Sequence, residues 1–131
     1  MYLIDTSVWI DFFNGKLSDS LRNQIINYIE NDEIYYNGII LSELLIGTKN
    51  TKERNFIQNN FDGFIYLPFD LDDFKKLSNY GNNFLRKGIT IPLTDLLIFY
   101  HTVNSNVTLI TKDKHFKLIR KSEKYDLQFV E

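Results

Sequence analysis

Short apolar runs alternate along this chain with longer stretches in which apolar residues recur every three or four positions. Tyr2-Leu3-Ile4 is the first run, and its β-forming side chains predict a buried strand. It ends on a carboxylate, Asp5. Val8, Ile10, Phe12 and Phe13 then give a helical pattern, which Asn14-Gly15 stops with residues that tolerate a left-handed backbone. Ser18 is placed to cap a second helix with Leu21, Ile25, Tyr28 and Ile29 on one face, and Asn31-Asp32 ends it. Ile34-Tyr35-Tyr36 predicts a second strand. Asn37-Gly38 leads from it into the stretch from Ile39 to Gly47, a helix apolar almost all round and therefore expected to be buried. Asn50 with Glu53 opens a further helix reaching about Asn60.

Phe64-Ile65-Tyr66-Leu67 predicts a third strand, closed by Pro68. A long helix follows from about Asp70 to Lys87, with Leu71, Phe74, Leu77, Gly81, Phe84 and Leu85 expected inward and Gly88 as its stop. After Pro92, Thr94 is the expected cap of a helix running to about Ser105. Val107 to Ile110 is the clearest strand of the chain, and Leu127-Gln128-Phe129-Val130 supplies the last. Strands alternating with helices predict an α/β layer fold around a parallel sheet. With 131 residues and no repeat, linker or low-complexity tract, residues 1–131 are expected to form one domain.

Composition narrows the chemistry. The chain has no cysteine, which excludes disulfides, zinc–thiolate sites and thiol catalysis. No run approaches the length of a membrane span, and a strand beginning at residue 2 leaves no room for a secretory signal, so a cytoplasmic address is expected. A net charge of −2 does not mark a general polyanion binder. Cations nevertheless crowd the C-terminal end. Lys112, Lys114, Lys117, Arg120, Lys121 and Lys124 stand there against Asp113, Glu123 and Asp126, a pattern that a solvated basic face also explains.

Four carboxylates occupy unusual settings. Asp5 ends the first strand, where ligands bind in open α/β sheets. Glu43 lies inside the most apolar helical stretch, Asp95 begins an apolar helix on the stripe of Ile98 and Phe99, and Asp113 follows the clearest strand by way of Thr111 and Lys112. Singly, a cap, a helix dipole or a turn accounts for Asp5, Asp95 and Asp113. Jointly, two acids after strands and two on helices can meet at one sheet edge. Clustered carboxylates repel, and hard oxygen ligands suit a divalent cation such as Mg²⁺ or Mn²⁺.

These residues bring a resemblance into view. Asp5-Thr6-Ser7-Val8-Trp9-Ile10-Asp11, Ser42-Glu43-Leu44-Leu45-Ile46-Gly47, Thr94-Asp95-Leu96-Leu97-Ile98 and Thr111-Lys112-Asp113-Lys114-His115-Phe116 resemble, in order and spacing, the four motifs of PIN-domain ribonucleases, and among them the small VapC toxins of bacterial toxin–antitoxin pairs. The chain departs from that pattern after Asp95, where small alanines are usual and Leu96 and Phe99 stand instead. The resemblance implies a three-layer α/β/α fold with a central, mainly parallel twisted sheet of about five short strands. It implies that Asp5, Glu43, Asp95 and Asp113 hold one or two Mg²⁺ or Mn²⁺ ions, with Thr6, Ser7 and Thr111 as hydroxyls orienting the carboxylates. The implied activity is metal-dependent hydrolysis of RNA, with a cognate antitoxin and a homodimer as partners. Lys112, Lys114, Lys117 and Arg120 become candidate contacts to the RNA backbone.

Two rivals differ in kind. A haloacid-dehalogenase-type phosphatase would want a second Asp two residues after Asp5, where Ser7 stands. A catalytically inactive PIN-fold module binding RNA or protein would be expected to lack one of the four acids. Other tempting residues have plainer expectations: Trp9 and His101 as packing residues, His115 as structural or surface, and Asp11 as a surface or helix-end acid.

Overall fold

A computed structural model describes residues 1–131, with five strands and seven helices. In chain order they are β1 (Tyr2–Ile4), α1 (Thr6–Phe13), α2 (Asp19–Glu30), β2 (Ile34–Asn37), α3 (Gly38–Ile46), α4 (Thr51–Phe61), β3 (Ile65–Leu67), α5 (Leu71–Arg86), α6 (Leu93–Asn104), β4 (Thr108–Thr111), α7 (Lys114–Ser122) and β5 (Leu127–Phe129). Most helices begin where a short polar side chain takes an orphan N–H. Asp5, Ser18, Asn37, Asn50, Asp70 and Asp113 all do so, and Asp70 with Asp73 forms a reciprocal capping box. Gly15 and Asp32, just past the ends of α1 and α2, have φ of 69° and 55°, the left-handed conformation their residue types tolerate.

All strand pairs are parallel, in the order β3-β2-β1-β4-β5. The chain builds outward from β1 through β2 to β3, then returns to lay β4 on the other side of β1. The strand order therefore reverses between β1 and β4, and the crevice at their C-terminal ends is the ligand-binding position of such sheets. Leu3, Ile4, Leu109 and Ile110, from those two strands, are fully buried.

Several elements differ from the pattern's expectation. Helix α3 is not buried all round: Ile40 and Leu44 face the core, whereas Ile46 is 82% exposed and Glu43 is exposed. On α5, Leu77 and Phe84 are buried, but Leu71, Phe74 and Leu85 are exposed. In both helices the apolar stripe is wider than the surface it packs on. Thr94 does not cap α6, which begins at Leu93 with no side-chain cap; Pro92 holds the cap position, with φ −56° and ψ 144°, its ring fixing φ. The basic C-terminal stretch is a helix, α7, with Phe116 and Ile119 inward.

Two details connect the core to the crevice. Leu96, where a small residue was expected from the resemblance, packs against Gly81 of α5; a Cβ at Gly81 would stand 2.8 Å from Leu96 Cδ2. His101 is buried, accepts from Asn37 Nδ2 at 3.0 Å through Nδ1 and donates from Nε2 to Pro68 O at 2.9 Å. Asn37 Oδ1 in turn accepts the Ile40 N–H that opens α3. His101 is thus a structural group tying the start of α3 to α6, and burial lowers its pKa, favouring the neutral ring this network needs. Trp9 is fully buried among Phe12, Phe13, Phe61 and Phe64.

Candidate active site

Asp5 is held by three hydrogen bonds. Its N–H donates to Ile110 O at 2.9 Å, which fastens it to β4. Its Oδ1 accepts the Thr6 N–H at 2.8 Å as the cap of α1, and its Oδ2 accepts the Thr111 hydroxyl at 2.7 Å. The side chain is only 6% exposed. Burial pushes its pKa up to about 6, Asp95 and Asp113 push the same way, and the bonds from Thr111 and Thr6 oppose them. Thr111 serves two acids, because its Oγ1 also accepts the Asp113 N–H at 3.0 Å.

Asp113 caps α7 by accepting the His115 N–H at 2.9 Å. Asp95, in the first turn of α6, is a poorly exposed carboxylate whose pKa is raised by burial and then by Asp113, against the opposing influence of His115. Glu43 projects from the exposed side of α3, and its Oε1 accepts the Thr6 hydroxyl at 3.0 Å. The four acids, separate in sequence, line one cleft of about 450 Å³ together with Thr6, Ser7, Ile10 and Lys112. A groove of about 520 Å³ between α5 and α6 is larger but is lined by no carboxylate.

Of the four candidate cations, Lys112 lines the cleft, paired with Asp11 of α1. Asp11 is therefore an ion-pair partner at the rim. Lys114, Lys117 and Arg120 do not line it. Lys117 sits 3.8 Å from the Phe129 ring centroid and 3.5 Å from Glu131, and Arg120 donates to Leu127 O, so both fasten α7 to β5. His115, expected to be structural or surface, belongs to the cluster: its Nδ1 lies 2.7 Å from Asp95 Oδ2 and 3.2 Å from Asp113 Oδ1. Its signal in the sequence was position, since a side chain two residues after a capping acid shares that helix end.

The donor set fits a divalent cation. Four carboxylates share the cleft with one ammonium, and that ammonium already has Asp11. The Ser7 hydroxyl is buried in the cleft wall without a hydrogen-bond partner, a polar group the protein itself leaves unsatisfied. Hard oxygens in such number suit Mg²⁺ or Mn²⁺.

The PIN domain family matches residues 2–122, and the chain belongs to that family. Within it, the chain is 33% identical over 129 residues to ribonuclease VapC of Rickettsia bellii, covering 92% of each chain. It is 31% identical to ribonuclease VapC2 of Rickettsia felis over 125 residues, 91% of this chain and 92% of that one. Solved structures share the fold. VapBC2 of Rickettsia felis bound to a promoter DNA fragment has a TM-score of 0.76 and 24% identity, covering 99% of this chain and 98% of that one. VapBC-1 of nontypeable Haemophilus influenzae has a TM-score of 0.78 and 21% identity, covering 98% and 96%.

Proposed function

We propose that this chain is a metal-dependent endoribonuclease and the toxin of a toxin–antitoxin pair, with residues 1–131 acting as one nuclease domain in the cytoplasm. The observation that carries the proposal is the convergence of Asp5, Glu43, Asp95 and Asp113 on one cleft at the point where the strand order reverses. Family membership and the two VapC ribonuclease relatives support it. The four intact acids disfavour an inactive binding module.

Asp5 and Asp95 would be the principal ligands of one or two Mg²⁺ or Mn²⁺ ions, with Glu43 and Asp113 completing the set. When bound, such an ion activates water and stabilises the charge that develops on a phosphodiester during hydrolysis. The protein's own residues prepare the site. Thr111 holds Asp5 and Asp113 in fixed relation, and Thr6 does the same for Asp5 and Glu43. Preorganised acids need no reorganisation when charge develops. Lys112 at the rim is placed to meet an RNA phosphate, whereas Lys114, Lys117 and Arg120 of α7 lie outside the cleft lining.

The proposed protein partners, a cognate antitoxin and a second copy of the chain, have apolar surface to use. Ile46, Leu71, Leu85 and Leu93 are each at least 60% exposed. No helix is long and apolar enough to cross a membrane.

Cleavage of a defined RNA by purified protein, in Mn²⁺ or Mg²⁺ and in chelator, tests the proposal, with Asp5→Asn as control. Internal cuts that need the ion and vanish in the variant are expected. Equal cleavage by the variant, or cleavage indifferent to chelator, would overturn it.

A further inference from the structure

We propose that His115 is a nitrogen donor to the ion, through Nδ1 and beside Asp95 and Asp113, and that it shifts the site's preference toward Co²⁺ and Ni²⁺ over Mg²⁺. The inference rests on the metal-site reading of the cleft. Its own observations are geometric. One donor atom from each of Asp95, Asp113 and His115 can be chosen so that all lie within 4.8 Å of one another. The imidazole Nδ1 stands 2.7 Å from one carboxylate oxygen and 3.2 Å from the other. Two donors at right angles on an octahedral ion, each about 2.1 Å from it, are about 3 Å apart. The ring is therefore already at ligand spacing.

The backbone keeps it there. Asp113 Oδ1 accepts the His115 N–H, so the acid that caps α7 also fixes where the histidine begins. The His115 side chain is 43% exposed, so solvent and an ion can reach the ring. Without an ion, Nδ1–H serves as a hydrogen-bond donor to Asp95; coordination at Nδ1 requires the ring proton on Nε2, which solvent access allows. Imidazole is a good ligand for Co²⁺ and Ni²⁺ and a poor one for Mg²⁺, which takes oxygen donors and water.

The competing role is a hydrogen bond that merely orients Asp95. Removing such a partner also weakens metal binding, by about 10- to 100-fold, but without regard to the ion. Selectivity separates the two. Calorimetric titration of the chain with Mg²⁺, Co²⁺ or Ni²⁺ alone is run on wild type, His115→Gln and His115→Asp. His115→Gln is expected to lose at least about tenfold for Co²⁺ and Ni²⁺ and less than about threefold for Mg²⁺. His115→Asp is expected to bind Mg²⁺ at least as well as wild type while still binding Ni²⁺ poorly. A second readout needs no variant: in ¹⁵N-histidine spectra, Zn²⁺ should move the His115 Nδ1 resonance and leave the buried His101 in place. Equal losses across the ions, or an unmoved His115 resonance, would overturn the role of His115 and leave the metal site standing. Failure of the wild type to bind any of the ions would overturn both.

Discussion

Asp5 does two jobs that pull its carboxylate in opposite directions. As a helix cap and acceptor of two hydrogen bonds it favours the charged form, whereas its burial and the neighbouring Asp95 and Asp113 favour the protonated one. The second influence wins, with a folded pKa of about 6 against roughly 3.9 in an unfolded chain. Below the unfolded value both states hold the proton and Asp5 costs nothing. As pH rises from about 4 through 6 only the unfolded state ionises freely, so stability is lost, by up to about 3 kcal/mol, and the loss then levels off. Asp5→Asn removes that dependence. In chelator, the stability advantage of the variant over wild type should therefore grow between pH 4 and 6 and stay flat above; denaturant midpoints across that range check it, and a constant difference refutes it. For Asp95→Asn the expectation is a reversal. The variant should be the more stable protein in chelator, because a carboxylate raised by burial and by Asp113 is neutralised. In excess Mn²⁺ wild type should overtake it, gaining about 2.7 kcal/mol at a hundredfold excess over Kd. Thermal unfolding in both buffers decides, and an equal metal shift in the two proteins would remove Asp95 from the ion. The three acids at Asp5, Asp95 and Asp113 were legible in the sequence because each breaks the apolar pattern at the end of a strand or the start of a helix. Glu43 was legible for a reason that did not hold, since its helix has an open side and the acid is exposed. His115 was read as structural or surface, and nothing local reports that α6 will bring Asp95 within 2.7 Å of it.

At the scale of elements, helix types and most boundaries followed from periodicity and caps, whereas the buried face of each helix depended on its neighbours. Leu71, Phe74 and Leu85 share the apolar stripe of α5 with Leu77 and Phe84 yet remain exposed, because the surface beneath that helix is narrower than the stripe. The contact of α5 with α6 gives a sharper case. Leu96 occupies the space over Gly81, where a Cβ would approach to 2.8 Å. A helix interior prefers Ala to Gly by about 1 kcal/mol, so Gly81→Ala should stabilise an unobstructed helix. Here it is expected to destabilise the protein, since Leu96 must leave a packed position. In a Leu96→Ala background the same change should become stabilising by about 1 kcal/mol. A double-mutant cycle of unfolding free energies measures the coupling; a stabilising Gly81→Ala in wild type would show that Leu96 moves aside freely.

The whole molecule sets a field as well as a fold. Net charge is −2, and the cleft is acidic, so an RNA strand approaching it needs local cations. Lys112 alone among the C-terminal basic residues lines the cleft, while Lys117 and Arg120 are engaged with Phe129, Glu131 and Leu127. Lys112→Ala is therefore expected to reduce the slope of log K for RNA against log salt by about one unit. Lys117→Ala should leave that slope nearly unchanged and lower stability instead. Binding isotherms at several salt concentrations test both, and identical slopes for the two variants would make the basic segment one continuous RNA face. Readable along the chain were the order of the strands and of the helices before α7, most of the caps, the parallel α/β class and the acids at strand ends and helix starts, because each depends on residues within a turn or two of one another. Which apolar stripes are covered, which lysine reaches the cleft and that His115 joins the acids were set by packing between distant segments. Those outcomes depend on distances between residues far apart in the chain, such as Asp5 and Thr111 or Asp95 and His115, and such distances exist only once β4 has come to lie beside β1.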